Sequence, residues 1–270
     1  MIVSAPASSG NLGPGFDCLG LAMELTLDVE PGAATLSPAG EGHPAMVGFR
    51  SAGGEGPLGW QSKIPPGKGM GFSGASYVAG IAAAMLQHGA DLDASRPEIW
   101  RLATELEGHP DNAAPSTFGG LTVSAAGKTV SVPLPDDLSV VAWIPKGEVS
   151  TNASRSTLPA TVSHADAAHN VAHATMLVAG LATGDLDVLS LCTDRLHQPY
   201  RLQALPHTEA AIEAALAAGA LTAFLSGSGP TAAALCRRAD ADRVAAAMPT
   251  EAAQAHTKVL AIGLPVRVAH

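Results

Sequence analysis

Cysteine is scarce in this sequence, and the few cysteines are too far apart to act together. Cys18, Cys192 and Cys236 are the three present, and they form no Cys-x-x-Cys pair. A disulfide framework or a thiolate zinc site is therefore excluded. This cysteine usage is typical of a reducing compartment such as the cytoplasm.

Basic residues and long apolar runs are also in short supply. Lysine and arginine number 15 against 24 acidic residues, so the formal net charge of −9 argues against a nucleic-acid partner. No basic stretch precedes an apolar one at the N-terminus, so we expect no signal peptide. The alanine-rich residues 210–224 are broken by Glu213 and by glycine-containing turns, which predicts a helix and a strand rather than a membrane span.

The sequence is rich in glycine at residues 65–76, PPGKGMGFSGAS, a loop that runs into an apolar helix candidate. Glycines let a ligand approach the main chain closely, and the N–H groups at a helix start attract anions. Lys63 and Lys68 add mobile positive charge, and Ser73 offers a hydroxyl to a metal ion or a phosphate. Because Lys68 precedes the glycine pair, the loop does not fit the P-loop pattern. A plain glycine turn that caps a core helix through Ser73 or Ser76 stays open at this point.

Two further segments combine polar side chains with turn-forming residues. Residues 7–17, ASSGNLGPGFD, hold Asn11 and Asp17, and residues 107–115, EGHPDNAAP, hold four polar side chains in six positions. The second segment, bounded by prolines, makes a poor core and a good site. Each also has a simpler interpretation, as turn caps in the first segment and as a helix end with an Asp or Asn N-cap in the second.

The mixture of strands and helices predicts an α+β fold. In the N-terminal half we expect strands at 1–6, 19–29, 118–123 and 138–144, and helices at 73–88 and 98–107. Residues 31–62 predict short strands and long turns without a helix. In the C-terminal half we expect helices at 163–182, 186–196, 209–218 and 239–248, and strands at 221–225, 232–236 and 258–264. A polar connector at 145–158 predicts two domains, 1–150 and 151–270, the second of ferredoxin-like type.

Three histidines lie on the helix predicted at 163–182. His164, His169 and His173 are spaced by five and four residues, and a pair at the second spacing can bind a metal ion. No carboxylate or third ligand belongs to the set. We therefore favour a solvated or packed helix face.

Five ordered segments resemble one family of kinases. Residues 6–17 resemble the N-terminal signature of the homoserine kinases, and residues 107–112 with the glycine pair at 119–120, as well as 194–201, are similar to the same enzymes. Residues 67–73 resemble the phosphate loop of the wider galactokinase–homoserine–mevalonate–phosphomevalonate (GHMP) kinase superfamily, and residues 225–231 resemble its third motif. The match covers most of the chain in the right order and leaves out roughly residues 31–62.

The resemblance implies a fold and a reaction. The fold is the two-domain GHMP architecture, with a ribosomal-protein-S5-domain-2-like N-terminal half, a ferredoxin-like C-terminal half and the nucleotide between them. The reaction moves the γ-phosphoryl group of ATP, with Mg²⁺, to the side-chain hydroxyl of L-homoserine on the route to threonine. The resemblance also implies a homodimer. The alternatives are a kinase of another small hydroxy amino acid, or a non-catalytic regulator that binds a nucleotide or an amino acid.

The resemblance also assigns site residues by position. The expected Mg²⁺ ligands are Ser73 and Glu107. The expected phosphate-binding residues are Lys68, Gly69, Met70, Gly71, Phe72, Ser73 and Gly74, with Gly227 and Gly229 packing the third motif against them. The expected substrate contacts are Asn11, Asp17, His109, Asn112, Thr151, Arg155 and Arg201, where Asp17 suits an ammonium group and the arginines suit a carboxylate.

The resemblance is imperfect at four places that bear on catalysis or on nucleotide binding. Asn112 stands where mevalonate-type relatives carry a catalytic Asp, and Ala7 stands about where they carry a Lys. We therefore expect catalysis without a dedicated base, in which Asn112, Ser73 and Glu107 align the reactants. Phe72 replaces a hydroxyl residue of the usual loop. The region before the loop is shorter than usual, and it is expected to lack the helix that helps to seat adenine.

Overall fold

The computed structural model describes residues 1–269, which form two antiparallel sheets with helices packed on them. The larger sheet has the strand order β11-β1-β2-β4-β3, with β5 and β6 attached to β2. Its strands are β1 (Ile2–Gly10), β2 (Leu19–Pro31), β3 (Ser37–Pro38), β4 (Leu58–Ser62), β5 (Leu121–Ala125), β6 (Lys128–Val132) and β11 (Arg267–Ala269). The smaller sheet has the order β10-β7-β9-β8. Its strands are β7 (Leu138–Ile144), β8 (Thr222–Leu225), β9 (Ala232–Arg237) and β10 (His256–Leu260).

The helices occupy the intervals between these strands. They are α1 (Pro44–Ser51), α2 (Phe72–Gln87), α3 (Leu92–Glu107), α4 (Pro110–Phe118), α5 (Thr151–Ser156), α6 (His164–Thr183), α7 (Gln198–Arg201), α8 (Pro206–Ala217) and α9 (Ala241–Ala247). Short 3₁₀ turns occupy Leu186–Leu191, Leu202–Ala204 and Arg238–Asp240. Within residues 1–269, no helix combines the length and the apolarity that crossing a membrane requires.

The core forms where α2 packs between the larger sheet and the neighbouring helices. In β2 the inward residues Leu21, Met23, Leu25 and Leu27 are buried while Glu24 is exposed, the alternation expected of a strand with one covered face. Helix α2 is buried over ten of its residues because α1, α3 and α4 cover it. Its position matters for function, since its first turn carries the glycine-rich loop.

Two predicted helices differ from the observed ones. Helix α3 begins at Leu92, six residues before the predicted start, because Asp91 caps it by accepting from the Ala94 N–H at 2.8 Å. Pro97 therefore lies inside the helix rather than in its first turn. The helix predicted at 186–196 is wrong beyond the 3₁₀ turn, because the backbone N–H groups of residues 196–198 donate to Asp194 instead of to helical carbonyls.

The expectation that residues 31–62 contain no helix is also wrong. Helix α1 starts with Pro44 at its first position, and His43 caps it by accepting from the Ala45 N–H. The helix is short, and it is held by close packing against α2. A Cβ atom on Gly80 would lie 2.0 Å from the Ala45 carbonyl oxygen. The backbones of α1 and α2 therefore come this close only because residue 80 is glycine. This contact between distant segments leaves no trace in local sequence pattern.

Strand β1 continues four residues beyond its predicted end. Residues 7–10 pair with β2 after a register shift between Pro6 and Ala7, so the predicted loop begins only at Asn11. The division into domains 1–150 and 151–270 stays a prediction. Strand pairing crosses residue 150 in both directions, since β7 pairs with β9 and β10 while β11 pairs with β1.

Candidate active site

Loops from both sheets meet in one cleft at the start of α2. The cleft is lined by fourteen of the predicted site residues: Asn11, Asp17, Lys68, Gly69, Met70, Gly71, Phe72, Ser73, Glu107, His109, Asn112, Thr151, Arg155 and Arg201. Gly227 of the third motif also lines the cleft, whereas Gly74 and Gly229 do not. Gly74 faces Asn112 inside the protein, and Gly229 packs against Leu225. The chain therefore brings together residues that are up to 190 positions apart (201 − 11).

The glycine-rich loop is pressed against two neighbouring segments. Gly69 has φ +72°, and a Cβ atom there would lie 2.3 Å from the Ser226 carbonyl oxygen. Gly71 has φ +68°, and its Cβ atom would lie 1.9 Å from the Ser8 hydroxyl. Positive φ and this closeness both require glycine. Gly71 is also the N-cap of α2, where no side chain of the described protein caps the helix, so the first N–H groups face the cleft as an anion site.

The two lysines near this loop do not supply the mobile charge expected of them. Lys63 is exposed and lies outside the cleft lining. Lys68 lines the cleft, but its side chain is buried and its ammonium group donates to the carbonyls of Lys146 and Gly147, both at 2.5 Å. Lys68 therefore fastens the loop to the segment that leads into α5.

A hydroxyl and a carboxylate meet beside the first turn of α2. Ser73 Oγ donates to Glu107 Oε1 at 2.7 Å. Burial raises the pKa of Glu107, and the Ser73 hydrogen bond and the nearby His109 only partly oppose that effect. The Glu107 carboxylate and the Ser73 hydroxyl together offer two hard oxygen ligands, and the negative charge of the carboxylate is only partly neutralised. It fits a Mg²⁺ ion, which prefers such oxygens.

A chain of hydrogen bonds fixes the polar groups at the α3–α4 junction. His109 Nδ1 lies 2.6 Å from Asp111 Oδ1, and Asn112 Nδ2 donates to the same oxygen at 3.3 Å. Ser8 Oγ donates to Asn112 Oδ1 at 3.0 Å. Both ends of the Asn112 amide are therefore held. Burial alone would lower the pKa of His109, but the hydrogen bond and charge of Asp111, with Glu107 and Asp17 further off, raise it.

Two arginines converge on one aromatic ring. Arg155 forms a two-bond ion pair with Asp17 at 2.7 and 2.8 Å. The guanidinium carbons of Arg155 and Arg201 lie 5.5 and 5.4 Å from the centre of the Phe16 ring. Arg201 is buried, and its Nε has no partner among residues 1–269. Burial, together with the charge of Arg155, lowers the pKa of Arg201, so an anion placed here would be stabilised.

Arg201 is itself held by His197. His197 Nε2 lies 2.8 Å from the Gly13 carbonyl oxygen, which can only accept, so this nitrogen carries the proton. The other nitrogen, Nδ1, is then free to accept from Arg201 Nη1 at 3.2 Å. Burial lowers the pKa of His197 and keeps the ring neutral in this arrangement. The Phe16 ring stacks on His197 with centroids 5.2 Å apart.

Asn11 occupies the turn next to these arginines. Its amide donates to the Gly227 carbonyl at 3.0 Å, and its side-chain oxygen accepts from the Asp17 N–H at 3.0 Å. Both polar groups of the Asn11 side chain therefore form hydrogen bonds with other parts of the chain. Asn11 and Asp17 have φ values of +72° and +56°, which places two non-glycine residues in the left-handed region at the edge of the cleft.

Comparison with known proteins shows the family to which this chain belongs. The GHMP kinases N terminal domain matches residues 46–120, and the GHMP kinases C terminal domain matches residues 177–254. A homoserine kinase from Thermus thermophilus is 40% identical, over 96% of this chain and 94% of that protein. A homoserine kinase from Moorella thermoacetica is 40% identical, over 87% of each chain. The chain belongs to the homoserine kinase family.

Solved structures of the homoserine kinase family agree with the fold. The crystal structure of homoserine kinase from Cytophaga hutchinsonii gives a TM-score of 0.85 at 26% identity, covering 99% of this chain and 97% of that one. A putative homoserine kinase from Listeria monocytogenes gives 0.82 at 30% identity, covering 100% and 99%. The predicted family and the α+β GHMP fold are confirmed.

Sequence reasoning missed several residues of this homoserine kinase site. Asp111, Phe16 and His197 stand inside the segments that resemble the family, but we assigned them no role. Asp111 had the clearest signal, since it is a carboxylate between two predicted substrate contacts. His197 had none, because its contact with Gly13 joins residues 184 positions apart.

The structure shows what surrounds Phe72 and the histidines on α6. Phe72 departs from the usual homoserine kinase loop, and its ring packs edge-on against Trp60 and His43, with centroids 6.1 and 5.9 Å away. On α6, His169 and His173 stack with centroids 3.7 Å apart, and His169 Nε2 lies 3.0 Å from the Thr193 hydroxyl.

Proposed function

We propose that this protein transfers the γ-phosphoryl group of ATP to the side-chain hydroxyl of L-homoserine, giving O-phospho-L-homoserine. Membership of the homoserine kinase family supports the reaction. The observation that carries the site is the meeting of three features in one cleft: the uncapped start of α2, the Ser73–Glu107 pair, and the two arginines beside Asp17. The first suits phosphates, the second a hard cation, and the third an amino acid.

The glycine-rich loop would hold the triphosphate. The N–H groups after Gly71 and the positive end of the α2 dipole attract its oxygens. Ser73 and Glu107 would hold Mg²⁺, which neutralises charge on the phosphates when it is bound. Lys68 would act by keeping the loop against residues 146–147, because its ammonium group is already hydrogen-bonded there.

Arg155, Arg201 and Asp17 would bind the two charged ends of homoserine. Arg201 Nε is a buried donor that lacks an acceptor within the described chain, so it can receive the substrate carboxylate. Asp17 is bonded to Arg155, and its side chain keeps 35% exposure toward the cleft. A zwitterion can therefore lie against this ion pair, with its ammonium group on Asp17 and its carboxylate on the arginines.

Asn112 would align the acceptor hydroxyl. Ser8 and Asp111 hold the Asn112 amide at both ends, so its orientation is set before substrate arrives. A carboxamide cannot accept a proton, and phosphoryl transfer depends mainly on positioning and charge neutralisation. The remaining assigned contacts, Asn11, His109 and Thr151, would complete the pocket. His109 is held by Asp111, and Thr151 lies 3.3 Å from the Ser228 hydroxyl.

Mass spectrometry tests this function directly. Purified protein with ATP, Mg²⁺ and L-homoserine should yield O-phospho-L-homoserine and ADP. Parallel reactions with L-threonine and L-serine test the alternative acceptors, and we expect a lower rate with both. Binding of ATP without phosphorylation of any acceptor would favour a regulator of the same fold.

Three finer proposals accompany the reaction. We propose that the product feeds threonine synthesis, that the enzyme works in the cytoplasm and that it forms a homodimer. The family resemblance supports all three. The first is tested by growth without threonine of a homoserine-kinase-deficient bacterium that expresses this protein. Fractionation of the source cells tests the second, and light scattering of the purified protein tests the third.

A further inference from the structure

Asn170 on α6 connects two segments of the candidate active site, although it lies outside the cleft lining. Its side-chain amide donates to the Pro14 carbonyl at 2.9 Å and to Asp194 Oδ1 at 3.0 Å. Its side-chain oxygen accepts from the Arg195 N–H at 2.8 Å. The residue is 3% exposed. Both amide hydrogens and the amide oxygen are therefore used, which fixes the orientation of this buried side chain.

Asp194 organises the segment that leads to Arg201. Its side chain has no exposed surface, and it also lies outside the cleft lining. Besides the Asn170 amide, it accepts from the backbone N–H groups of residues 196–198 at 2.6 to 3.0 Å. A carboxylate offers acceptors only, so it matches four N–H donors. Asp194 thus determines the path of the chain just before Arg201.

These hydrogen bonds form a closed ring with the turn at residues 11–17. His197 Nε2 donates to the Gly13 carbonyl at 2.8 Å, and the next carbonyl of the turn is the one that Asn170 holds. The same imidazole accepts from Arg201 through Nδ1 at 3.2 Å. The ring therefore attaches the turn to the segment that carries Arg201.

The turn at residues 11–17 has a backbone that requires such support. Asn11, Leu12 and Asp17 have φ values of +72°, +47° and +56°. The left-handed region is unfavourable for residues with a side chain, and such conformations persist where the surrounding structure holds them. Because the ring binds two consecutive carbonyls in the middle of this turn, it helps to keep Asp17 in place.

The ring also leaves the charge of Arg201 available to a ligand. Arg201 Nη1 donates to His197 Nδ1 and to the Gly227 carbonyl, both at 3.2 Å, and neither of these acceptors is a carboxylate. Asp194 lies behind the imidazole, with Oδ2 3.6 Å from His197 Nε2. The negative charge is thus near the buried guanidinium without occupying its donors.

We propose that Asn170 and Asp194 are positioning residues for the amino-acid substrate. They set the separation between the Asp17 carboxylate and the Arg201 guanidinium, the groups assigned to its two charged ends, so the inference rests on the proposed function. A site whose two halves are already held at the right separation does not have to order them when the ligand binds. A ligand with one charged end gains little from that fixed separation.

Calorimetry on the full-length protein with ADP and Mg²⁺ tests this inference without turnover. Asn170→Ala should raise the Kd for L-homoserine about tenfold. The Kd for 4-hydroxybutyrate, which has the carboxylate and the hydroxyl but no ammonium group, should rise by no more than about threefold. The Kd for ADP should stay the same. Asp194→Asn should weaken the binding of both acids about tenfold, because it disturbs the segment that carries Arg201.

Leu177→Ala is the matched control for loss of stability. Leu177 is fully buried on the same helix, and truncating it leaves a cavity in the core without touching the ring. Asn170→Ala and Leu177→Ala should both lower the midpoint of thermal unfolding, but only the first should raise the Kd for homoserine. If Asn170→Ala does not fold, Asn170→Gln moves the amide by one methylene and should affect the two acids in the same order.

Three results would overturn the positioning role. They are an unchanged Kd for homoserine in the Asn170 variant, an equal rise for homoserine and 4-hydroxybutyrate, and the same rise in Leu177→Ala. The second would mean that Asn170 supports Arg201 alone. If the wild-type protein binds no homoserine, the proposed function fails and this inference fails with it. Binding by the wild type without any change in the variants removes only the positioning role.

Discussion

Asn112 lies in the cleft with its side-chain amide held by neighbouring residues. Ser8 and Asp111 occupy both ends of its amide. The motifs predicted Asn112, Ser73, Glu107 and the arginines as site residues, and the structure brings all of them to one cleft. The partners of Asn112 were not predictable, because Ser8 lies 104 positions away and no local pattern couples the two.

Replacing Asn112 with alanine should slow turnover more than it weakens binding. Loss of one aligned hydrogen-bonding group in an active site typically costs about 10²-fold in kcat. We expect a fall of that order in steady-state kcat, with the KM for homoserine changed only a few-fold. Thermal unfolding of the same variant serves as the folding control. A folded Asn112→Ala enzyme with a wild-type rate would remove Asn112 from the mechanism.

Arg201→Lys should weaken homoserine binding selectively. A lysine keeps the positive charge but loses the planar set of donors that suits a carboxylate. We expect the KM for homoserine to rise about tenfold or more, for a loss of at least 1.4 kcal/mol, while the Kd for ATP measured by calorimetry stays the same. Arg237→Lys is the matched control, since Arg237 forms an exposed ion pair with Asp137. An unchanged KM would contradict a carboxylate contact.

The raised pKa of His109 predicts a pH-dependent contribution to stability. Because the pKa is higher in the folded protein, protonated His109 stabilises the fold. The contribution is fully present below the unfolded value of about 6.5 and is lost as pH rises through the folded value. The difference in free energy of unfolding between wild type and His109→Gln should therefore shrink from mildly acidic to alkaline pH. A difference that is constant across this range would show that Asp111 does not hold a charged His109.

The glycine loop is the element in which backbone geometry matters most. Gly71→Ala would place a methyl group 1.9 Å from the Ser8 hydroxyl, whereas Gly67→Ala meets only the flexible Glu148 side chain at 3.2 Å. Both positions have positive φ, so both variants carry a strain of roughly 1–2 kcal/mol.

Urea unfolding of the two glycine variants separates the cost of positive φ from the cost of the steric clash with Ser8. Gly71→Ala should lose clearly more free energy of unfolding than Gly67→Ala, and it should also lose affinity for ATP. Equal destabilisation would mean that the close approach of the loop to Ser8 does not constrain it.

Elements with a strong local signal were predictable, and those held by distant contacts were not. The alternation in β2 and the apolar run of β7 predicted both strands. Helix α1 was missed because it depends on the contact between Ala45 and Gly80. The start of α3 was misplaced because Pro97 resembles a first-turn proline, while the actual cap is Asp91.

At the scale of the whole molecule, the proposed function depends on two sheets presenting their loops to one cleft. The larger sheet and its helices supply the glycine loop and the α3–α4 junction, while residues 151–231 supply Thr151, both arginines and the third motif. Ser226 joins the two parts by donating to Gly69 at 2.7 Å. The order of the motifs along the chain predicted this family, and the closeness of the loops appears only after folding.

A crystal structure with a non-hydrolysable ATP analogue, Mg²⁺ and L-homoserine would test this arrangement most directly. We expect the triphosphate at the first turn of α2, the metal on Ser73 and Glu107, and the homoserine carboxylate on Arg201 with its ammonium group on Asp17. A triphosphate bound elsewhere, or a homoserine molecule that contacts neither arginine, would contradict the proposed site.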